Sequence, residues 1–157
     1  MKTSPTIAIR TATSADEAAI VALLPQLADF TVPPNRNPTD LWQGDVDLAQ
    51  KILSGQTADA FIHVACDADQ ILGLIMVTMR QELMSHAPSA HLEAIVVHPD
   101  ARGIGLGRRM LHHTEAEVRR RGAGSLTLHV FSNNRRALSL YEAEGFDSEL
   151  VRAIKWL

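Results

Sequence analysis

The chain has 157 residues, room for one domain and hardly for two. Hydrophobic residues make up 46% and charged residues 21%, which supplies a core and argues against disorder. The net charge of −3 divides unevenly, with 11 acids against 5 bases in residues 1–97 and 7 against 10 in residues 98–157. An acidic total with 4% aromatics excludes a nucleic-acid surface, yet the C-terminal part suits an anionic ligand.

We read residues 1–157 as a single domain. Thr6–Arg10 alternates as a first strand, and Ser14-Ala15-Asp16-Glu17 has the form of a capping box opening a helix with Ile20, Leu23, Leu24 and Leu27 on one face. Pro25 should kink or shorten that helix, because it lacks an amide hydrogen and clashes one turn back. Val32–Pro38 reads as a loop, and a second helix is expected from about Thr39 to Gly55. Ala60–Cys66 and Ile71–Arg80 flank Asp67-Ala68-Asp69-Gln70 as an antiparallel hairpin, and a third strand of this group runs from Ala90 to His98. After glycines 103, 105 and 107 a helix extends to about Arg121; then come a strand Ser125–Phe131, a helix Asn134–Glu144 stopped by Gly145, and a last strand near Val151–Trp156. The order β-α-α-β-β-β-α-β-α-β predicts an α/β (α+β) fold with one mixed, mostly antiparallel central sheet and helices on both faces.

The longest apolar run, Ile71–Val77, is far below the ~20 residues of a membrane span, and Met1-Lys2-Thr3-Ser4-Pro5 lacks the apolar centre of a signal peptide. The single cysteine, Cys66, cannot form an internal disulfide and lies in an apolar strand, where buried packing is the expectation. A cytoplasmic location without a membrane partner follows as the expectation. The seven histidines show no ligand spacing, so no metal is expected.

The segment Leu92 to Leu111 reads as strand, glycine loop and helix start. Glycines there permit positive φ, and the helix N-terminus adds donors and partial positive charge, a place for an anion. No Gly-Lys-Ser/Thr is present, and Arg108 stands where a dinucleotide loop needs its third glycine, which weakens both nucleotide readings. Farther on, Asn134 and Tyr141 are two helical turns apart and share a face. Arg102-x-x-Gly105-x-Gly107 and Asn134-x-x-Ala137-x-x-Leu140-Tyr141-x-x-x-Gly145-Phe146 together resemble the acetyl-CoA site of the GNAT superfamily of N-acetyltransferases. At the level of motifs the likeness covers about residues 91–146.

The resemblance implies a direct transfer of acetyl from acetyl-CoA, as cosubstrate, to a primary amine in a ternary complex. Ile95, Val96 and Val97 would bind the pantetheine arm as an added strand. Arg102, Gly103, Ile104, Gly105, Leu106 and Gly107, with Arg108, would hold the pyrophosphate, and Asn134 would contact the cofactor. Glu93 occupies a position where several family members carry the general base, although a solvated carboxylate or a partner for His91 is an equal reading. Tyr141 matches the general acid that protonates the departing sulfur, and a strand N–H such as that of Val96 would meet the oxyanion. Arg119-Arg120-Arg121 need no ligand, since cations suit a helix C-terminus. The acceptor would sit against about residues 24–42 and 80–90, where Asp29, Asp40, Asp45, Asp47 and Glu82 are available to attract a cation. A non-catalytic acyl-CoA-sensing module of the same fold is the alternative, and the family leaves a homodimer open.

Overall fold

The computed structural model describes residues 6–68 and 70–157. Residues 1–5, where the sequence argues against a signal peptide, and Asp69 of the hairpin turn lie outside the described residues. The elements run β1 (Ala8–Thr11), α1 (Glu17–Leu23), α2 (Gln43–Leu53), β2 (Ala60–Asp67), β3 (Gln70–Gln81), β4 (Pro88–Val97), α3 (Leu106–Arg120), β5 (Leu126–Leu128) and α4 (Arg135–Ala143). The strands form one sheet in the order β1-β2-β3-β4-β5. Its first three pairings are antiparallel and β4–β5 is parallel. The mixed, mostly antiparallel sheet predicted from sequence is therefore present.

Alternation along β2 and β3 gives each face its own core. Phe61, Ala65, Ile75 and Val77 pack with Leu106, Met110, Leu111 and Val118 of α3 and with Tyr141 of α4. Ile62, Val64, Leu74 and Met76 pack on the other face with Ile20 and Leu23 of α1 and Val46 and Ala49 of α2. Burial of each such Leu, Ile or Phe stabilises by about 1.5–3 kcal/mol. Gly73 lets the layers meet closely, since a Cβ there would lie 2.9 Å from the Val96 carbonyl oxygen and 2.9 Å from the Met110 methyl.

The start of α1 corrects the predicted capping box by one residue. Asp16, not Glu17, reaches back to accept the Thr13 amide at 2.8 Å, in a 3-10 turn over Ser14–Asp16. Asp16 also receives both Arg10 nitrogens, at 2.7 and 2.9 Å, so β1 and α1 are tied together. The hydrogen bond from Arg10 and the Thr13 amide hold its carboxyl down at about 2. Pro25 acts as expected: the α-helix ends at Leu23 and a 3-10 turn, Leu24–Ala28, follows.

Two expectations fail at the C-terminal side. β5 pairs only at Leu126–Leu128 instead of running from 125 to 131, because it diverges from β4 beyond Leu128. The last strand, Val151–Trp156, does not form: residues 147–157 carry no regular structure. A strand needs an edge to satisfy its amides, and among the described residues no strand pairs with this tail. Leu150, Val151, Ile154, Trp156 and Leu157 are exposed, with the Trp156 ring 5.0 Å below the Arg36 guanidinium. Apolar residues alone are an insufficient signal for a strand.

Candidate active site

The geometry of the site begins with a single inserted residue. Met76 faces Ala94 and Val77 faces Leu92 across the β3–β4 pair, which leaves Glu93 unopposed in a β-bulge. Before it, Ala90 and Leu92 belong to the α3/α4 core; after it, Ala94 and Val96 belong to the α1/α2 core. On the other side of β4, pairing with β5 stops at Leu92–Leu128. The backbone from Glu93 to Val97 thus borders a gap rather than a strand.

A cavity of about 370 Å³ opens into that gap. Glu93, Ile95 and Val97 line one wall, and His129, Val130 and Phe131 line the facing one. At one end lie Gly103, Gly105, Leu106 and Gly107. Gly103 and Gly105 have φ of +79° and +77°, the left-handed region that favours glycine. Gly105 is the N-cap of α3 and offers no capping side chain, so the first-turn amides of Leu106, Gly107 and Arg108 have no helical acceptor. The N-terminus of a 15-residue helix therefore presents free donors and partial positive charge to the cavity. Gly107 sits where α3 meets α4, with only 3.3 Å between a built Cβ and the Leu140 methyl.

From α4, Asn134, Arg136, Ala137, Leu140 and Tyr141 reach the same cavity. The spacing Asn134-x-x-Ala137-x-x-Leu140-Tyr141 is that of one helical face. Asn134 also caps α4 by accepting the Ala137 amide at 3.4 Å. Tyr141 is buried, its ring edge-on to Phe146 at 5.6 Å. Among the described residues its hydroxyl has no hydrogen-bond partner, and burial pushes the phenol up to about 12. It is a fully protonated donor at neutral pH, unengaged by the protein.

Of the residues singled out in the sequence, the cavity brings together Glu93, Ile95, Val97, Arg102, Gly103, Gly105, Leu106, Gly107, Arg108, Asn134 and Tyr141. Two side chains point elsewhere. Val96 is buried against the α1/α2 core, leaving only its backbone for the cavity side, and Ile104 is exposed. Two arginines arrive with partners that the sequence did not reveal. Arg102 donates to Asp29 at 2.7 Å, to Gln26 at 3.3 Å and to the Val97 carbonyl at 3.3 Å. Arg108 pairs with Glu144 at 2.9 Å. His91 hydrogen-bonds Thr127 at 2.7 Å, so the sequence option of a His91–Glu93 pair is not realised. Arg120 and Arg121 bind Glu117 at 2.6 and 2.8 Å, consistent with a structural role. Cys66 is buried, as expected.

The part of the cavity where the sequence reading expects an acceptor is lined by Gln26, Leu27, Asp29, Phe30, Leu41 and Asp45, the last in the first turn of α2. No residue from 80–90 lines the cavity. Glu82 instead accepts the Met84 and Ser85 amides of its own turn, at 3.1 and 2.6 Å. That Asp45 lies close enough to Glu93 to feel its charge has no local signature in the chain, since the approach of a helix to a distant strand leaves no local pattern.

An open α/β sheet whose fourth strand parts from the fifth above an uncapped helix N-terminus defines the class. Residues 25–146 match the model of the Acetyltransferase (GNAT) family. The chain belongs to that family and is an acyltransferase enzyme. It is 31% identical over 104 residues to the [Ribosomal protein bS18]-alanine N-acetyltransferase of Salmonella typhimurium (strain LT2), covering 66% of this chain and 67% of that one. It is 28% identical over 141 residues to the uncharacterized N-acetyltransferase YhfO of Bacillus subtilis (strain 168), covering 90% of each. The likeness to the bS18-alanine enzymes spans about two thirds or less of their own length. Among solved structures, the aminoglycoside N-acetyltransferase AAC(6')-Iy in complex with CoA superposes with a TM-score of 0.76 at 18% identity, covering 100% of this chain and 97% of that one. At that identity it speaks for the fold.

Proposed function

We propose that the protein is an acetyl-CoA-dependent N-acetyltransferase that moves the acetyl group directly to a primary amine in a ternary complex. One observation carries the reading: the unpaired β4 edge, the uncapped start of α3 and the unengaged Tyr141 phenol open into one cavity. The donor set fits a long molecule with a diphosphate at one end. Amides of residues 103–108 suit phosphate oxygens, the free edge of Glu93–Val97 suits an amide-bearing arm, and Asn134 has side-chain amide hydrogens to spare after capping. Arg102 and Arg108 stand at the same end, each already paired with a carboxylate, so their contribution to an anion requires exchanging Asp29 or Glu144 for it.

Bound there, acetyl-CoA would supply the thioester. Glu93 accepts a proton from the incoming ammonium, freeing the nitrogen lone pair to form the new C–N bond as the C–S bond breaks. Tyr141 donates its phenolic proton toward the leaving sulfur. Of the two protons the ammonium gives up, one is balanced by the proton the departing thiolate takes up as it becomes the thiol, and one leaves through Glu93 to water. The apolar walls exclude water from the thioester.

The test is release of free thiol from acetyl-CoA across a panel of amines, together with the melting temperature measured with and without CoA. Thiol release that depends on the amine supports the transferase reading. Stabilisation by CoA without release with any amine points to the sensing module instead.

A further inference from the structure

The carboxylates of the acceptor end are unequally engaged. Asp29 is held by Arg102 at 2.7 Å, with Arg136 at 3.9 Å. Asp40 accepts the Asn37 amide at 3.2 Å and Asp47 accepts the Gln43 side chain at 3.3 Å. Glu82 is spent on its own turn. Asp45 differs: it lines the cavity beside Glu93, and among the described residues no cation or hydrogen-bond donor meets its side chain. Leu27, Phe30 and Leu41 line the same cavity.

Resting on the transferase reading above, we infer that Asp45 is the acceptor-binding carboxylate and that Asp45 and Glu93 together take a single ammonium group carried next to an apolar body. Two carboxylates facing one apolar recess without a counter-ion are an unfavourable pair in the empty site, and one ammonium placed between them relieves both. Glu93 then removes the proton while Asp45 holds the nitrogen in line. Burial, reinforced by the Glu93 charge, pushes the Asp45 carboxyl up to about 7, even though a first-turn position on α2 favours its anion.

The rim decides between a monoamine and a polycation. A polycationic acceptor needs several free acids around the mouth, whereas here Asp29 is already engaged by Arg102 and Arg136, which leaves Asp45 and Glu93 as the unpaired acids of the cavity among the described residues. Further ammonium groups would find no free carboxylate to receive them. Leu27, Phe30 and Leu41, with the Phe30 ring packed at a tilt against Phe131 at 5.5 Å, offer the apolar contact for a side chain next to the amine.

The experiment measures thiol release with acetyl-CoA and four acceptors: phenylethylamine and alanyl-phenylalanine amide as monoamines, spermine and kanamycin as polycations. The native protein should favour at least one monoamine over both polycations by 10-fold or more in kcat/KM. Asp45→Asn should raise KM for that monoamine by about 10–100-fold, the loss of a hydrogen bond to a charged partner, with KM for acetyl-CoA unchanged and kcat within about 3-fold. The variant is isosteric and removes a like charge, so its melting temperature should equal or exceed the native value, and Asp45→Glu should recover part of the affinity. An unchanged amine KM in Asp45→Asn, or a preference for kanamycin or spermine, overturns this inference while leaving the transferase reading intact. No release by the native protein with any amine overturns both.

Discussion

Replacing Tyr141 by Phe removes one oxygen from the cavity and nothing from the core, because the ring packs on Phe146 and the hydroxyl has no partner among the described residues. The expected size of the effect follows from acidity. The phenol is pushed up to about 12, whereas a thiol such as the leaving group has a reference value of about 8.5, so complete proton transfer to the thiolate is uphill by roughly 5 kcal/mol. Tyr141 then acts as a hydrogen-bond donor to developing charge, a contribution of about 1.5–3 kcal/mol, or about 10–150-fold in rate. This sits at the low end of the ~10²–10⁴ of a general acid with well-matched acidity. Single-turnover acetylation at saturating acetyl-CoA isolates the chemical step from product release. We expect a fall of about 10–150-fold in Tyr141→Phe, an acetyl-CoA Kd within about 3-fold by calorimetry, and an unchanged melting temperature. An unaltered single-turnover rate, or a rate loss accompanied by an equal loss of acetyl-CoA affinity, refutes the reasoning.

Three further outcomes test other parts of the structure. Gly105→Val places a β-branched side chain at φ +77°, where it meets no protein atom within 4 Å but crowds the phosphate turn; it should cost about 1–2 kcal/mol of stability and weaken CoA binding by 10-fold or more in calorimetry. Gly73→Ala pushes a methyl to 2.9 Å from the Val96 carbonyl, which the sheet cannot yield without moving β4, so urea denaturation should show a loss of about 1–3 kcal/mol. His91 is buried, and burial first, then Arg80 and His129, lower it to about 4 against about 6.5 when unfolded. A lowered histidine leaves stability untouched above pH 6.5 and removes it as pH falls from 6.5 toward 4. Between pH 7.5 and 5 the native protein should therefore lose about 2 kcal/mol more than His91→Gln. A difference that does not change with pH would show that His91 takes up its proton freely in the folded state.

Much of this site could be read in one dimension because its signals are local. Glycines at 103 and 105 mark left-handed turns, and the 134–141 spacing is a helical face, so strand, loop and helix N-terminus were placed correctly, as was the order of elements up to α4. What escaped depends on contacts between distant segments. Nothing near Arg102 or Arg108 in the chain announces Asp29 or Glu144, and nothing near Asp45 announces Glu93. The bulge was hidden because a strand with apolar residues on both faces shows no break in alternation when one residue is inserted. The final strand failed for the converse reason: residues 150–157 have strand-like composition, but whether a strand forms depends on an edge to pair with.

The inserted Glu93 inverts the parity of β4. Side chains that would fall beneath one helical layer are handed to the other from that point onward, so this strand is stitched into both halves of the molecule. Removing the residue would delete the carboxylate and close the bulge, restoring one-to-one pairing with β3 while Ala94 and Val96 keep facing α1 and α2. The extra residue therefore serves the carboxylate and the local bend of the cavity wall rather than the register, and the sheet should accommodate both substitution at 93 and its deletion, with only the deletion straightening the strand.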